Sequence, residues 1–145
     1  MKNSIIIITI LLLSLLGATQ LQAQEFNPKK NNYLVLSKNI KQLDPVLLTA
    51  RDLAKEDGKK YGNFYVVICG KTVNDIANNS GFNKLLEKAN AQNIKVFVCG
   101  ISLQKFNISP SQLPSTLEIT GNGILYGFQL TKKRIYYANY LTIKE

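Results

Sequence analysis

Two cysteines are the residues of this chain best equipped for covalent chemistry, and each closes an apolar run in the same way. Val66-Val67-Ile68-Cys69-Gly70-Lys71-Thr72 runs parallel in character to Val96-Phe97-Val98-Cys99-Gly100-Ile101-Ser102, a β-branched strand ended by cysteine and glycine. The thiolate is the reactive form of cysteine, so the surroundings decide whether such a residue attacks or stays inert. After Cys99 the segment Ile101 to Phe106 reads as a short helix. That sets the sulfur against unpaired N–H groups and the positive end of a dipole, with Lys105 adding to the field. A second reading makes Cys99 a small apolar residue that finishes a core strand, buried and unreactive. A third joins Cys69 to Cys99 in a structural disulfide. That requires Cα atoms within about 7 Å, and so the second and third strands side by side.

The rest of the composition narrows the chemistry. The 145 residues contain no histidine and no tryptophan. Histidine general-base catalysis, a Ser-His-Asp triad and a Cys/His zinc site are therefore excluded, and neither a metal nor a cofactor is expected. Gly70-Lys71-Thr72 imitates the end of a phosphate-binding loop, but the glycine required five positions earlier is Tyr65, a strand residue. The formal charge of +9 comes from basic residues scattered along the chain, with Lys29-Lys30, Lys59-Lys60 and Lys132-Lys133-Arg134 the only clusters. Such scatter argues for solubility, and no nucleic-acid partner is expected.

The elements that must position the cysteines follow from hydrophobic period and turn residues. Tyr33 to Ser37 is a first strand, and Asp44 with Pro45 opens a helix whose buried stripe is Val46, Leu47, Ala50, Leu53 and Ala54, ending near Gly62. Asn63 to Cys69 is a second strand, Thr72 caps a short helix, and Phe82 to Gln92 is another helix. Ile94 to Cys99 is the third strand. Thr116 to Thr120 alternates weakly as a fourth, and Gly121-Asn122-Gly123 turns into a helix carrying Ile124, Leu125, Phe128 and Leu130. A glycine pair before a helix can cradle an anion, though it more commonly only turns the chain. Ile135 to Ala138 closes as a fifth strand, and Tyr126, Phe128, Tyr136, Tyr137 and Tyr140 form an aromatic tail suited to core and subunit interface. Strands alternating with helices predict one α/β domain, a three-layer α/β/α arrangement around a mainly parallel sheet of about five strands.

Ahead of this domain, residues 1–23 read as an export signal: one lysine, an apolar run from Ile5 to Leu16, then small and polar residues up to Ala23. The run is shorter than the ~20 residues that span a bilayer, so no stable membrane insertion is expected after cleavage. Residues 24–32 are polar, include Pro28, and should be a flexible arm leading into a domain over 33–145. The mature protein would then be periplasmic or secreted, where exposed thiols tend to oxidise.

With these elements placed, the chain resembles the DsrE/DsrF-like family of small α/β proteins linked to sulfur oxidation and sulfur relay. The resemblance runs from Tyr33 to Tyr140 and is most specific over Ile94 to Ile108, followed by Glu118-Ile119 and by Leu130 leading to Tyr136-Tyr137. It implies that Cys99 matches the cysteine that carries sulfur as a persulfide in relay members, and it gives Cys69 no role. It also implies a homo-oligomer, a trimer or hexamer, and a sulfur donor or acceptor protein as partner. The alternative is a non-catalytic binding or assembly module of the same fold, its cysteine inert or disulfide-bonded.

Overall fold

The computed structural model describes residues 29–132 and 135–140. The expected export signal and most of the expected arm lie outside them. Five strands, Asn31–Ser37 (β1), Tyr61–Ile68 (β2), Ile94–Cys99 (β3), Glu118–Thr120 (β4) and Ile135–Tyr140 (β5), form one sheet in the order β4-β3-β2-β1-β5. Every neighbouring pair is parallel. The helices Leu43–Asp57 (α1), Ser80–Ala91 (α2), Gly100–Lys105 (α3) and Gly123–Thr131 (α4) connect them in turn. This is the α/β class and sheet that the strand–helix alternation predicts.

The chain adds β2, β3 and β4 successively to one side of β1, then crosses the whole sheet to place β5 on the other side. Reversing the direction of strand addition moves the connecting helix to the opposite face, because crossovers keep one hand. Two cores result. On one face Val35, Val66, Ile68, Val96 and Val98 pack with Val46, Leu47 and Ala50 of α1 and Phe82, Leu86 and Ala89 of α2. On the other, Leu34, Leu36, Val67 and Phe97 pack with Leu130 of α4, and both cysteines belong to this smaller cluster. Strand residues alternate faces with period two, so Cys69 and Cys99 share a face with Val67 and Phe97. Leu47, 2% exposed in the larger core, is the kind of residue whose truncation to alanine costs about 2–5 kcal/mol.

Element boundaries differ from the sequence reading for local reasons. β1 begins at Asn31, inside the segment read as an arm: the Asn32 side chain is fully buried and its Oδ1 accepts from the Asn63 N–H at 2.9 Å. Helix α1 starts at Leu43 after a 3-10 turn over Ile40–Gln42, so Asp44 is a first-turn residue and makes no cap. Pro45 still falls where its missing N–H costs nothing. The helix stops at Gly58, whose φ of +53° favours glycine, and Gly62 belongs to β2. Thr72 caps nothing: it lies within a 3-10 turn over Lys71–Asp75, and its Oγ1 accepts from the Ile40 N–H at 3.0 Å. The cap of α2 is Asn79, which accepts from the Phe82 N–H at 2.9 Å and moves the helix start to Ser80.

Helix α4 lies where the sequence places it and turns its smallest residues inward. Gly123 and Gly127, one turn apart, face the sheet, and of the apolar residues predicted for this helix only Leu130 is buried. Ile124, Leu125 and Phe128 are 54%, 52% and 63% exposed. The aromatic tail divides accordingly. The Tyr126 ring packs tilted against Phe97 with centroids 4.9 Å apart, Phe128 is exposed, and the β5 tyrosine side chains lie outside what the structure describes.

Candidate functional site

The parallel register pairs Ile68 with Val98, which puts the next residues, Cys69 and Cys99, side by side at the carboxyl edge of adjacent strands. Both are free thiols and nearly covered, 5% and 4% exposed. From here the two strand ends diverge. The Cys69 N–H donates to the Ser37 carbonyl at 2.9 Å, and Gly70, at φ +80°, swings the chain aside into its 3-10 turn. Gly100 instead continues straight into α3. A Cβ at Gly100 would lie 3.1 Å from the Gly121 carbonyl oxygen and 3.2 Å from that of Thr120, so glycine lets the segment after β4 press against α3. The Ile101 N–H fixes that contact by donating to the Gly121 carbonyl at 3.1 Å.

This anchoring brings the start of α4 over the sulfurs. Asn122 caps the helix, its Oδ1 accepting from the N–H groups of Ile124 and Leu125 at 3.1 Å each. The first N–H of the helix, that of Gly123, is left over, and it donates to Cys99 Sγ at 3.3 Å. Only glycine permits this approach. A Cβ on Gly123 would lie 2.7 Å from Cys69 Sγ, 2.8 Å from Val67 Cγ1 and 3.1 Å from Cys99 Cβ.

Ser102 completes the surroundings. It is 8% exposed, and its Oγ accepts from the Gly70 N–H at 2.8 Å, tying the turn after Cys69 to the helix after Cys99. Burial raises the Cys99 pKa, but the Gly123 N–H, the Ser102 backbone and hydroxyl, and the Cys69 thiol all act as donors to its sulfur and together bring it below the ordinary thiol value. Cys69 goes the other way, to about 12: burial raises it first, then the charge of Cys99 and the hydrogen bond given to it, with Lys38 opposing weakly. The pair is therefore polarised, with an ionisable sulfur at Cys99 beside a retained proton at Cys69.

The sequence placed Cys99 correctly at a strand-to-helix junction, yet the aligned donor comes from α4, some 24 positions on, rather than from the six-residue α3. The glycine pair read as a turn also brings an N–H to the Cys99 sulfur, through Gly123. Cys69, Ser102 and Gly123 were not picked out as site residues. The shared strand–Cys–Gly pattern was the one signal for Cys69, and strand adjacency, which a sequence does not print, was needed to use it. Among the described residues no group of three His, Cys, Asp or Glu side chains could hold a metal, and none forms a helix able to cross a membrane.

The pattern of the DsrE/DsrF-like family matches residues 52–135, which include both cysteines and Gly123. Among solved structures, the chain is similar to a protein of unknown function, MTH1491, from Methanobacterium thermoautotrophicum. Identity is 12% and the TM-score 0.63, over 77% of this chain and 98% of that one. It is also similar to a conserved protein of unknown function, BT1422, from Bacteroides thetaiotaomicron, at 15% identity and a TM-score of 0.58, over 76% of this chain and 95% of that one. At these identities the likeness is one of fold. No curated protein matches the chain.

Proposed function

Because the chain belongs to the DsrE/DsrF-like family, we propose that it handles sulfane sulfur through Cys99, taking it up as a persulfide and passing it on. The observation that carries this reading is the Gly123 N–H held 3.3 Å from Cys99 Sγ by a helix that only glycine lets so close. In uptake the Cys99 thiolate attacks the outer sulfur of a donor persulfide. A new S–S bond forms at Cys99, the donor's S–S bond breaks, and the donor leaves as its thiolate. The same contacts that favour the thiolate before attack favour it as the leaving group when sulfur moves to an acceptor thiol. Because the sulfur is almost covered, the start of α4 that lies over it must move aside for a donor to reach it.

Export belongs to the same proposal and rests on the leader read over residues 1–23, with a mature start near Gln24; N-terminal sequencing of exported protein that found Met1 retained would overturn that cleavage. The carrier role is tested by incubating reduced protein with glutathione persulfide and recording intact mass. Cys69→Ser, which keeps Cys99 alone, should gain one sulfur, Cys99→Ser should not, and uptake by Cys99→Ser would refute the assignment. A second reading, an assembly module, is favoured by the outward apolar face of Ile124, Leu125 and Phe128. A second copy of the chain is the occupant we propose for it, as a trimer or hexamer, and a monomer mass in light scattering at micromolar concentration would count against it.

A further inference from the structure

Cys69 has no part in sulfur uptake as derived above, yet it is held against the sulfur that does. Adjacent strands lie about 4.8 Å apart, inside the window of about 4.4–6.8 Å between Cα atoms that a disulfide spans. Cys69 and Cys99 follow the paired residues Ile68 and Val98, in one cluster on one face of the sheet. Gly123 touches both, with Cys69 Sγ and Cys99 Cβ within 2.7 and 3.1 Å of the place a Cβ would take. At 5% exposure Cys69 is poorly placed to meet an external substrate, but it needs no access to reach Cys99.

We propose that Cys69 is a resolving thiol: it attacks Sγ of persulfidated Cys99, forms a Cys69–Cys99 disulfide and releases the carried sulfur as hydrosulfide. This rests on the carrier reading of Cys99. The step balances. The Cys69 S–H and the Cys99 persulfide anion become one disulfide and HS⁻; the outer S–S bond breaks as the inner one forms, and the Cys69 proton leaves with the outer sulfur. The two sulfurs retained in the disulfide are oxidised relative to the dithiol, and the sulfane sulfur is reduced. A dithiol reductant then returns the pair to its starting state.

Charge movement times the step. While Cys99 is a thiolate, its charge and its demand for a hydrogen bond hold the proton on Cys69. Once Cys99 carries sulfur, the charge sits on the outer atom, one bond further away, and that restraint weakens. Lys38 favours the Cys69 anion throughout. The protein is thereby assigned a sulfide-releasing, reductive outlet in addition to transfer.

The test treats the reduced full-length chain with glutathione persulfide and follows sulfide release, intact mass and the peptides joined without reductant. Wild type should release one equivalent of sulfide and end two hydrogens lighter than the dithiol, with the Cys69 and Cys99 peptides linked. Cys69→Ser and Cys69→Ala should both stay one sulfur heavier and lose sulfide release. Wild type that keeps the added sulfur without a disulfide overturns the resolving role and leaves the carrier reading standing. Failure of wild type and both variants to gain or release sulfur refutes the carrier reading and the resolving step with it. Because wild type alone shows the linked peptides, the outcome does not depend on the variants folding.

Discussion

The ends of β2 and β3 are built from nearly the same residues and shift the acidity of their sulfurs in opposite directions. Each is an apolar β-branched run closed by Cys-Gly, and the two lie in register on one sheet face. Yet Cys69 is pushed up to about 12 while Cys99 falls below the ordinary thiol value. The cause is what arrives from elsewhere in the chain. Gly70 at φ +80° leads away from the sheet, whereas Gly100 leads into a helix against which the Gly121 segment docks, and that docking delivers the Gly123 N–H to one sulfur alone. Local sequence sets where a cysteine sits; a distant helix start sets whether it ionises.

Gly123→Ala should collapse this difference most. Its Cβ would meet the Cys69 sulfur and Val67 at 2.7 and 2.8 Å, so α4 must lift from the sheet. We expect a loss of about 1–3 kcal/mol in thermal or denaturant unfolding, together with a rise of the Cys99 pKa toward that of an ordinary thiol. Retained stability with an unshifted Cys99 would mean the cradle is not what polarises the pair.

Ser102→Ala should act less strongly and on both strand ends at once. It removes the acceptor of the Gly70 N–H and a donor to Cys99, for about 1–2 kcal/mol in unfolding. Iodoacetamide labelling of Cys99 should then shift to higher pH. A stability loss without that shift would make Ser102 only a tie between the two turns.

Asn122→Ala should have the smallest effect, about 1 kcal/mol for the lost cap. Denaturant titration measures it. Because the Gly123 N–H remains, Cys99 should keep most of its acidity, and a large loss of acidity would show that the cap itself positions the donor.

How far the sequence disclosed this arrangement depends on whether the cause was local. The Ile94 to Cys99 strand announced itself through β-branched residues and the glycine that follows, and the sheet emerged from five such runs. The start of α1 was obscured because Asp44 and Pro45 suit a cap and a first turn equally well, and only the preceding 3-10 turn decides between them. For helix α4 the apolar residues Ile124, Leu125, Phe128 and Leu130 did not by themselves mark an inward face, and close approach to the sheet places the glycines there. The neighbouring cysteines were legible only as a condition on strand order, which the topology meets with β2 beside β3.

The central claim is that Cys99, and not Cys69, is the more acidic sulfur. The most direct measurement is the rate of iodoacetamide alkylation against pH in the two single-thiol chains, Cys69→Ser and Cys99→Ser, each normalised to its own plateau so that coverage of the sulfur drops out. A thiol reacts as its thiolate, so each curve rises through the pKa of the remaining cysteine. In the Cys69→Ser chain, where only Cys99 remains, the Gly123 and Ser102 donors persist and the midpoint should fall below that of an ordinary thiol. In the Cys99→Ser chain, which keeps the burial of Cys69 but loses the raising effect of Cys99, the midpoint should still lie above that of the Cys69→Ser chain. Coincident curves, or a lower midpoint for Cys69, would contradict the account.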